Sequence, residues 1–187
     1  MFFARLAFHD CVGGGHCDGC INHTLPDNAG LKTYTDALDI GYNSISATMS
    51  RTDFYALASL TALKRATFYT DIPFTALEDG KFKVGRIDCS LSPNEDAAPN
   101  IPFPSGDFHN SQTLNFFVLE FGFNADETVA LLGAHTLGRA HAKDSGYEGK
   151  WVSGKVDSMA FSDRLENGFY HKMLGNWKQV SYQRSVK

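Results

Sequence analysis

No apolar run in this chain approaches the ~18 residues that a membrane-spanning helix needs. The stretch Met1 to Phe8 is apolar, but it is too short for a secretion signal and carries Arg5 inside it. A mature extracellular form and a cut fragment would both look this way. There is no basic stripe with interleaved aromatics, so the chain offers no footprint for nucleic acid. Internal repeats and low-complexity tracts are absent, and strand signals are poor. Proline is scarce outside one tract: of six, Pro73, Pro93, Pro99, Pro102 and Pro104 fall between residues 70 and 111. Tryptophan occurs twice. These absences leave a mainly α class without a membrane or nucleic-acid partner.

What remains is ordinary in bulk. The 187 residues suffice for one domain with a sizeable core. Hydrophobic residues make up 43% and charged residues 20%, with a net charge of −4, as in a typical globular protein. Phenylalanine is frequent, at 15 residues, and there are 7 histidines. Bulky aromatics with scattered imidazoles suit a protein wrapped around a flat cofactor, and equally a well-packed core. Cys11, Cys17, Cys20 and Cys89 allow three full disulfide pairings, which sequence alone does not choose between. Their clustering favours an oxidising, extracellular setting if the thiols are paired.

The periodicity lays out helices with loops between them. A first helix ends near Cys11, where Gly13, Gly14 and Gly15 cannot continue it. A Gly-, Asp- and Cys-rich loop runs to Ala29, and helical spacing returns at Leu31, Tyr34, Leu38 and Tyr42. Ser50 and Asp53 form a capping-box-like start to a helix apolar on more than one face, expected to be buried and to run to about Phe68. Residues 70–111 read mostly as loop, and such long tracts tend to be functional or to wrap something. Helix resumes from about Ser111 to Phe121 and ends at Gly122. Asn124 and Glu127 outline a second capping box, opening a helix that carries His135 and stops at Gly138. A last amphipathic helix is expected from about Phe161 to Leu174.

Two helical positions carry polar side chains of interest. Arg5 and His9 are four apart and share a face, with Phe8 leaning the same way. They could be two satisfied polar groups. They could also line a reaction cavity, with His9 moving protons and Arg5 stabilising negative charge on a leaving oxygen. His135 ends an apolar helix beside Gly133 and Ala134, small neighbours that leave room for something flat. It could be a hydrogen-bonded core residue or an axial ligand to haem iron. The set His9, Cys11, His16, Cys17, Cys20 and His23 is dense enough to raise a structural zinc site, though it lacks a matching second knuckle.

These segments resemble one family, the plant, fungal and bacterial-type haem peroxidases. Arg5-Leu6-Ala7-Phe8-His9-Asp10 is similar to its distal-helix signature, and Gly133 to Arg139 to its proximal-haem signature. Pro26 to Leu31 resembles the segment supplying an asparagine partner to the distal histidine. Val84 to Asp88 resembles the turn before the proximal region, and Ser145 to Trp151 the proximal tryptophan segment of the cytochrome c and ascorbate types. The matches run in family order from Arg5 to about Trp177.

The resemblance implies a helical haem-peroxidase fold, haem b as cofactor, and hydrogen peroxide plus a small-molecule or protein electron donor as partners. It implies catalytic roles for Arg5, His9, Asn28 and Trp151. It implies that Phe8 forms a cavity wall, that His135 binds the iron, and that Arg139, His141 and Ser145 lie near the haem propionates. The distal half resembles secreted members, in which carboxylates matching Asp10 and Asp18 hold calcium. Here Cys20 stands where that site offers a serine hydroxyl, and its sulfur would then be free to pair with Cys11 or Cys17. Asp144 stands where the ascorbate type has a basic substrate-contacting residue. The family's helix before the distal one, its last helices and its proximal carboxylate have no counterpart within residues 1–187, and neither Asp157 nor Asp163 matches the latter. A fragment, or a truncated member acting through haem binding without catalysis, is the alternative. Oligomeric state is left open.

Overall fold

The computed structural model describes residues 2–12, 16–68, 70, 73–90, 103–106, 108–145, 149–152, 155–156, 159–160 and 163–173. The fold is mainly helical. The helices are α1 (Phe2–Cys11), α2 (Lys32–Tyr42), α3 (Arg51–Ala66), α4 (Asn110–Phe121), α5 (Ala125–Leu132), the single turn α6 (Ala142–Ser145) and α7 (Gly168–Met173). Two short antiparallel ribbons supplement them. β1 (Arg139–Ala140) pairs with β2 (Gly149–Lys150), and β3 (Lys155–Val156) with β4 (Met159–Ala160). None of the described helices is long and apolar enough to cross a membrane.

Local chemistry sets the helix ends. The Ser50 hydroxyl accepts the Asp53 N–H at 3.3 Å and opens α3. Asn124 and Glu127 exchange two bonds of 2.9 Å at the start of α5, a complete capping box. Gly122 closes α4 in the left-handed conformation (φ 69°) that a glycine adopts without strain.

The core lies between α1 and α3. Leu6, Ile21, Leu31 and Tyr55 are fully buried, with Leu38 and Phe54 packed against them. α3 departs from its expected pattern. Its buried stripe is Thr52, Tyr55, Ser59 and Ala66, whereas Leu57, Leu60 and Leu63 are only half-buried. The Thr52 hydroxyl meets Asp10 of α1 and the Cys17 carbonyl, and Asp53 is engaged by a loop. Asp53 accepts the Gly85 N–H at 2.6 Å and the Arg86 guanidinium at 2.6 Å, pinning residues 85–86 to the start of the helix.

Two further helix expectations are corrected. His135 does not sit in an α-helix: α5 ends at Leu132, and Gly133–Thr136 tighten into a 3-10 turn. The last helix begins at Gly168 and not near Phe161. Leu165 is outside it, and its N–H donates to the Ala66 carbonyl of α3 at 3.1 Å. Phe161 and Leu174 lie outside the described residues.

Cysteine pairing is settled as Cys11–Cys17 and Cys20–Cys89. Cys20 therefore pairs with neither Cys11 nor Cys17. Its partner lies 69 positions away and is brought in by the Asp53-held loop and by the Cys89 N–H, which donates to the Asp18 carbonyl at 2.9 Å. No thiol is left for a zinc thiolate site. Asp18, Cys20 and Cys89 do crowd together, but both sulfurs belong to one disulfide.

Candidate active site

One hydrogen-bonded chain organises the distal residues. The Asn28 amide donates from Nδ2 to the Asn22 carbonyl at 2.8 Å, which leaves Oδ1 as an acceptor. That oxygen lies 2.8 Å from Nδ1 of His9. An amide oxygen only accepts, so Nδ1 carries the proton and Nε2 carries the lone pair. Arg5 confirms this, its Nε–H donating to His9 Nε2 at 3.3 Å. The rest of the guanidinium is anchored by the Ala29 carbonyl at 2.9 Å and the Asp27 carbonyl at 2.6 Å. The short 3-10 turn Pro26–Asn28 presents these acceptors to α1.

Burial and the adjacent Arg5 cation push the His9 imidazole down to about 4, against the opposing hydrogen bond from Asn28. His9 is thus neutral and basic at Nε2 through the physiological range. Phe8 meets Phe117 of α4 at 6.3 Å between ring centres and lies edge-on to His9. Phe103 packs on His9 itself, 4.8 Å between ring centres. Phe103 was missed from sequence. An aromatic flanked by Pro102 and Pro104 in a chain with few prolines was the available signal.

The proximal residues form a separate group. His135 is exposed, with Nδ1 3.0 Å from the Leu132 carbonyl. A carbonyl only accepts, so Nε2 of His135 also presents a lone pair, the donor an axial metal bond requires. Trp151 meets the imidazole edge-on at 5.4 Å and Phe169 stacks on it at 5.5 Å. Phe169 is a second residue not foreseen. The space beside Gly133 is not free: a Cβ there would overlap the Tyr170 hydroxyl, which donates to the Val129 carbonyl at 2.8 Å. The small residue at 133 therefore admits a tyrosine.

Arg139 is exposed on β1, opposite Lys150. His141 stacks on Phe2 of α1 at 6.3 Å, linking the proximal loop to the distal helix. Ser145 donates its hydroxyl to the His141 carbonyl at 3.0 Å. Asp144 rests against Gly30, where a Cβ would come within 2.8 Å of its carboxylate, and its charge acts on Arg5. Asp163 is exposed, and Asp157 lies outside the described residues.

The residues matching a distal calcium site make hydrogen bonds within the protein. Asp10 uses both carboxyl oxygens on protein groups, 2.7 Å from the Gly19 N–H and 2.9 Å from the Thr52 hydroxyl. Asp18 accepts the Cys20 N–H at 3.0 Å. Cys20 offers a disulfide sulfur, a poor ligand for a hard cation.

A helical fold in which a turn asparagine holds a partly buried helix histidine, with a lone-pair histidine beside a tryptophan elsewhere, defines a class. The chain belongs to the peroxidase family: the family model described as Peroxidase matches residues 2–181. Among relatives, it is 31% identical to the mitochondrial cytochrome c peroxidase of Candida albicans, over 81% of this chain and 36% of that protein. It is 30% identical to L-ascorbate peroxidase 3 of Arabidopsis thaliana, over 87% of this chain and 55% of that protein. The mitochondrial cytochrome c peroxidase of Candida glabrata is 38% identical over 52% of this chain. The chain thus spans about half or less of the length of the curated relatives it matches.

Proposed function

We propose that this chain acts as a haem-dependent peroxidase, reducing hydrogen peroxide with a one-electron donor. Hydrogen peroxide, two protons and two electrons become two waters. The observation that carries the reading is the ordered hydrogen-bond chain Asn22–Asn28–His9–Arg5, which fixes a neutral imidazole with its basic nitrogen beside a guanidinium.

The donor set fits a haem. His135 Nε2 would hold the iron, and Phe8 would wall the cavity on the His9 side. Arg139, His141 and Ser145 would lie toward the propionates. When bound, haem b supplies redox-active iron that gives electrons to peroxide and regains them one at a time. His9 Nε2 accepts a proton from the peroxide oxygen and returns it to the departing oxygen. Arg5 offsets the negative charge developing on that oxygen. Asn28 holds the tautomer that makes this transfer possible. Trp151 is 37% exposed and meets His135 edge-on, which supports a role for it in relaying an electron from a small-molecule or protein donor. Residues 1–187 act in this reading as one domain.

The absorption spectrum after haem addition tests the proposal. A Soret band that shifts on stoichiometric peroxide, and is lost in His135→Ala, is the expected result. His9→Leu should slow the peroxide reaction by roughly 10²–10⁴-fold, and Arg5→Leu by roughly 10²–10³-fold. Haem uptake with a peroxide rate indifferent to both substitutions would identify a non-catalytic haem-binding relative instead.

A further inference from the structure

The loop after α1 carries a histidine outside the distal group. Its backbone is fixed: Cys20 is tied to Cys89, Ile21 is buried in the core, and the Asn22 carbonyl accepts the Asn28 amide at 2.8 Å. His23 follows and turns toward α2. Its Nε2 lies 3.0 Å from Thr35 Oγ1, and that hydroxyl donates to the Lys32 carbonyl at 2.9 Å. A threonine hydroxyl has one proton, so His23 Nε2 is the donor in the shared contact and Nδ1 carries a lone pair. Nδ1 is buried and has no hydrogen-bond partner among the described residues. Buried acceptors are nearly always satisfied, so an orphaned one points to a ligand.

His23 lines a cavity of about 110 Å³ together with Asp36, Asp39, Arg51 and Tyr55. At ~30 Å³ for a water, that is room for an ion and its remaining waters. Asp36 and Asp39 are three apart on α2 and share a face. Asp39 gives Oδ1 to Arg51 at 2.7 Å and to Tyr55 at 3.4 Å, and neither bond uses Oδ2. Arg51 is held in place, because Asp88 accepts the Arg51 and Thr52 N–H groups at 2.8 and 3.0 Å and caps α3. Asp36 instead holds Lys32 at 2.8 Å, a pair whose side chains are 61% and 58% exposed. So exposed a pair contributes little, and a stronger cation can replace Lys32. We propose that His23 Nδ1, Asp36 and Asp39 bind a divalent transition-metal ion of the zinc class, with Lys32 leaving Asp36 to admit it. One imidazole nitrogen with carboxylate oxygens, completed by water, suits zinc, whereas calcium and magnesium take oxygen ligands. Arg51 and Asp39 neutralise each other, and Asp36 freed from Lys32 balances the incoming charge.

Binding is read without turnover, so the test is independent of the peroxidase reading. Zinc chloride titrated into the full chain in a calorimeter should fill one site, and zinc should raise the melting temperature, since an ion held only by the folded state stabilises it. His23→Ala should abolish both effects. Asp36→Asn and Asp39→Asn should each weaken binding, and Lys32→Met should tighten it by removing the competing cation. Calcium chloride at the same concentration should leave the melt unchanged, because it has no use for the imidazole nitrogen. His135→Ala should keep the zinc isotherm, which separates this site from the other histidine with a lone pair. No zinc uptake, uptake that survives His23→Ala, or an equal response to calcium would overturn the proposal. Should His23→Ala fail to fold, Lys32→Met decides on an exposed side chain: binding that does not tighten there counts against the site.

Discussion

The side chain of Asn28 holds His9 in one tautomer, its Oδ1 2.8 Å from Nδ1 and its Nδ2 2.8 Å from the Asn22 carbonyl. The second contact gives the first its meaning, because it fixes which end of the amide faces the imidazole.

Peroxide reactivity should therefore follow the His9 titration. A protonated imidazole has no lone pair to offer, so the second-order rate should fall as pH drops through about 4 and be level above it. The Asn28 hydrogen bond raises this value against burial and Arg5, so Asn28→Ala should move the limb to lower pH. Asn28→Asp should move it upward, because a carboxylate favours the imidazolium. Stopped-flow measurement across acid pH checks the signs. A limb that does not move in either variant would dissociate His9 from the proton transfer.

His9 and Asp10 are sequence neighbours with opposite linkage to folding. His9 is depressed from 6.5 to about 4, so its contribution is present above pH 6.5 and is lost as pH falls through that window. Asp10 is raised from 3.8 to about 7, so its contribution is present below pH 3.8 and is lost as pH rises toward 7. Between these limits the two slopes oppose. Asp10→Asn should expose the His9 slope, with stability rising with pH, and His9→Leu should expose the falling Asp10 slope. The gain of Asp10→Asn over wild type should grow from pH 4 to 7 and then level, with an upper bound of about 4 kcal/mol. Urea unfolding at stepped pH measures each difference.

Some of this was legible in the sequence because it is local. Ser50, Gly122 and Asn124 act within one turn of themselves, and the helix ends they mark are where the structure has them. Arg5 and His9 share a face because four residues are one turn. The failures are long-range. The resemblance left Cys20 to pair with Cys11 or Cys17, but its partner is Cys89, set by loop contacts to Asp53 and Asp18 that no local pattern encodes. Phe103 reaches His9 across 94 positions. α3 reads as apolar on more than one face, but its Thr52 is buried against the Asp10 carboxyl of α1 and the Cys17 carbonyl.

The two disulfides should contribute unequally. Cys20–Cys89 closes a separation of 69 residues and Cys11–Cys17 one of 6. Loop-closure entropy gives about 4 kcal/mol for the first and about 2 kcal/mol for the second. The pair Cys20→Ala with Cys89→Ala should lower the melting temperature more than Cys11→Ala with Cys17→Ala. Equal losses would mean that the loop holding Cys89 stays docked without the bond, through Asp53 and Asp88 alone.

Gly133 and Tyr170 supply the last test, on the proximal side. A methyl at 133 would overlap the Tyr170 hydroxyl, which is held by the Val129 carbonyl. The tyrosine can yield only by giving up that bond or by moving α7, and Phe169 on α7 stacks on His135. Gly133→Ala should therefore cost about 1–3 kcal/mol, the range for overpacking a close contact. Its effect should reach His135 as well, read from the ring's NMR shifts. Tyr170→Phe removes the hydroxyl that the methyl meets first. The double variant should lose less than the sum of the two singles, a coupling of about 0.5 kcal/mol or more. Strict additivity would show that Gly133 is small for a reason other than Tyr170, and would return that space to whatever ligand His135 faces.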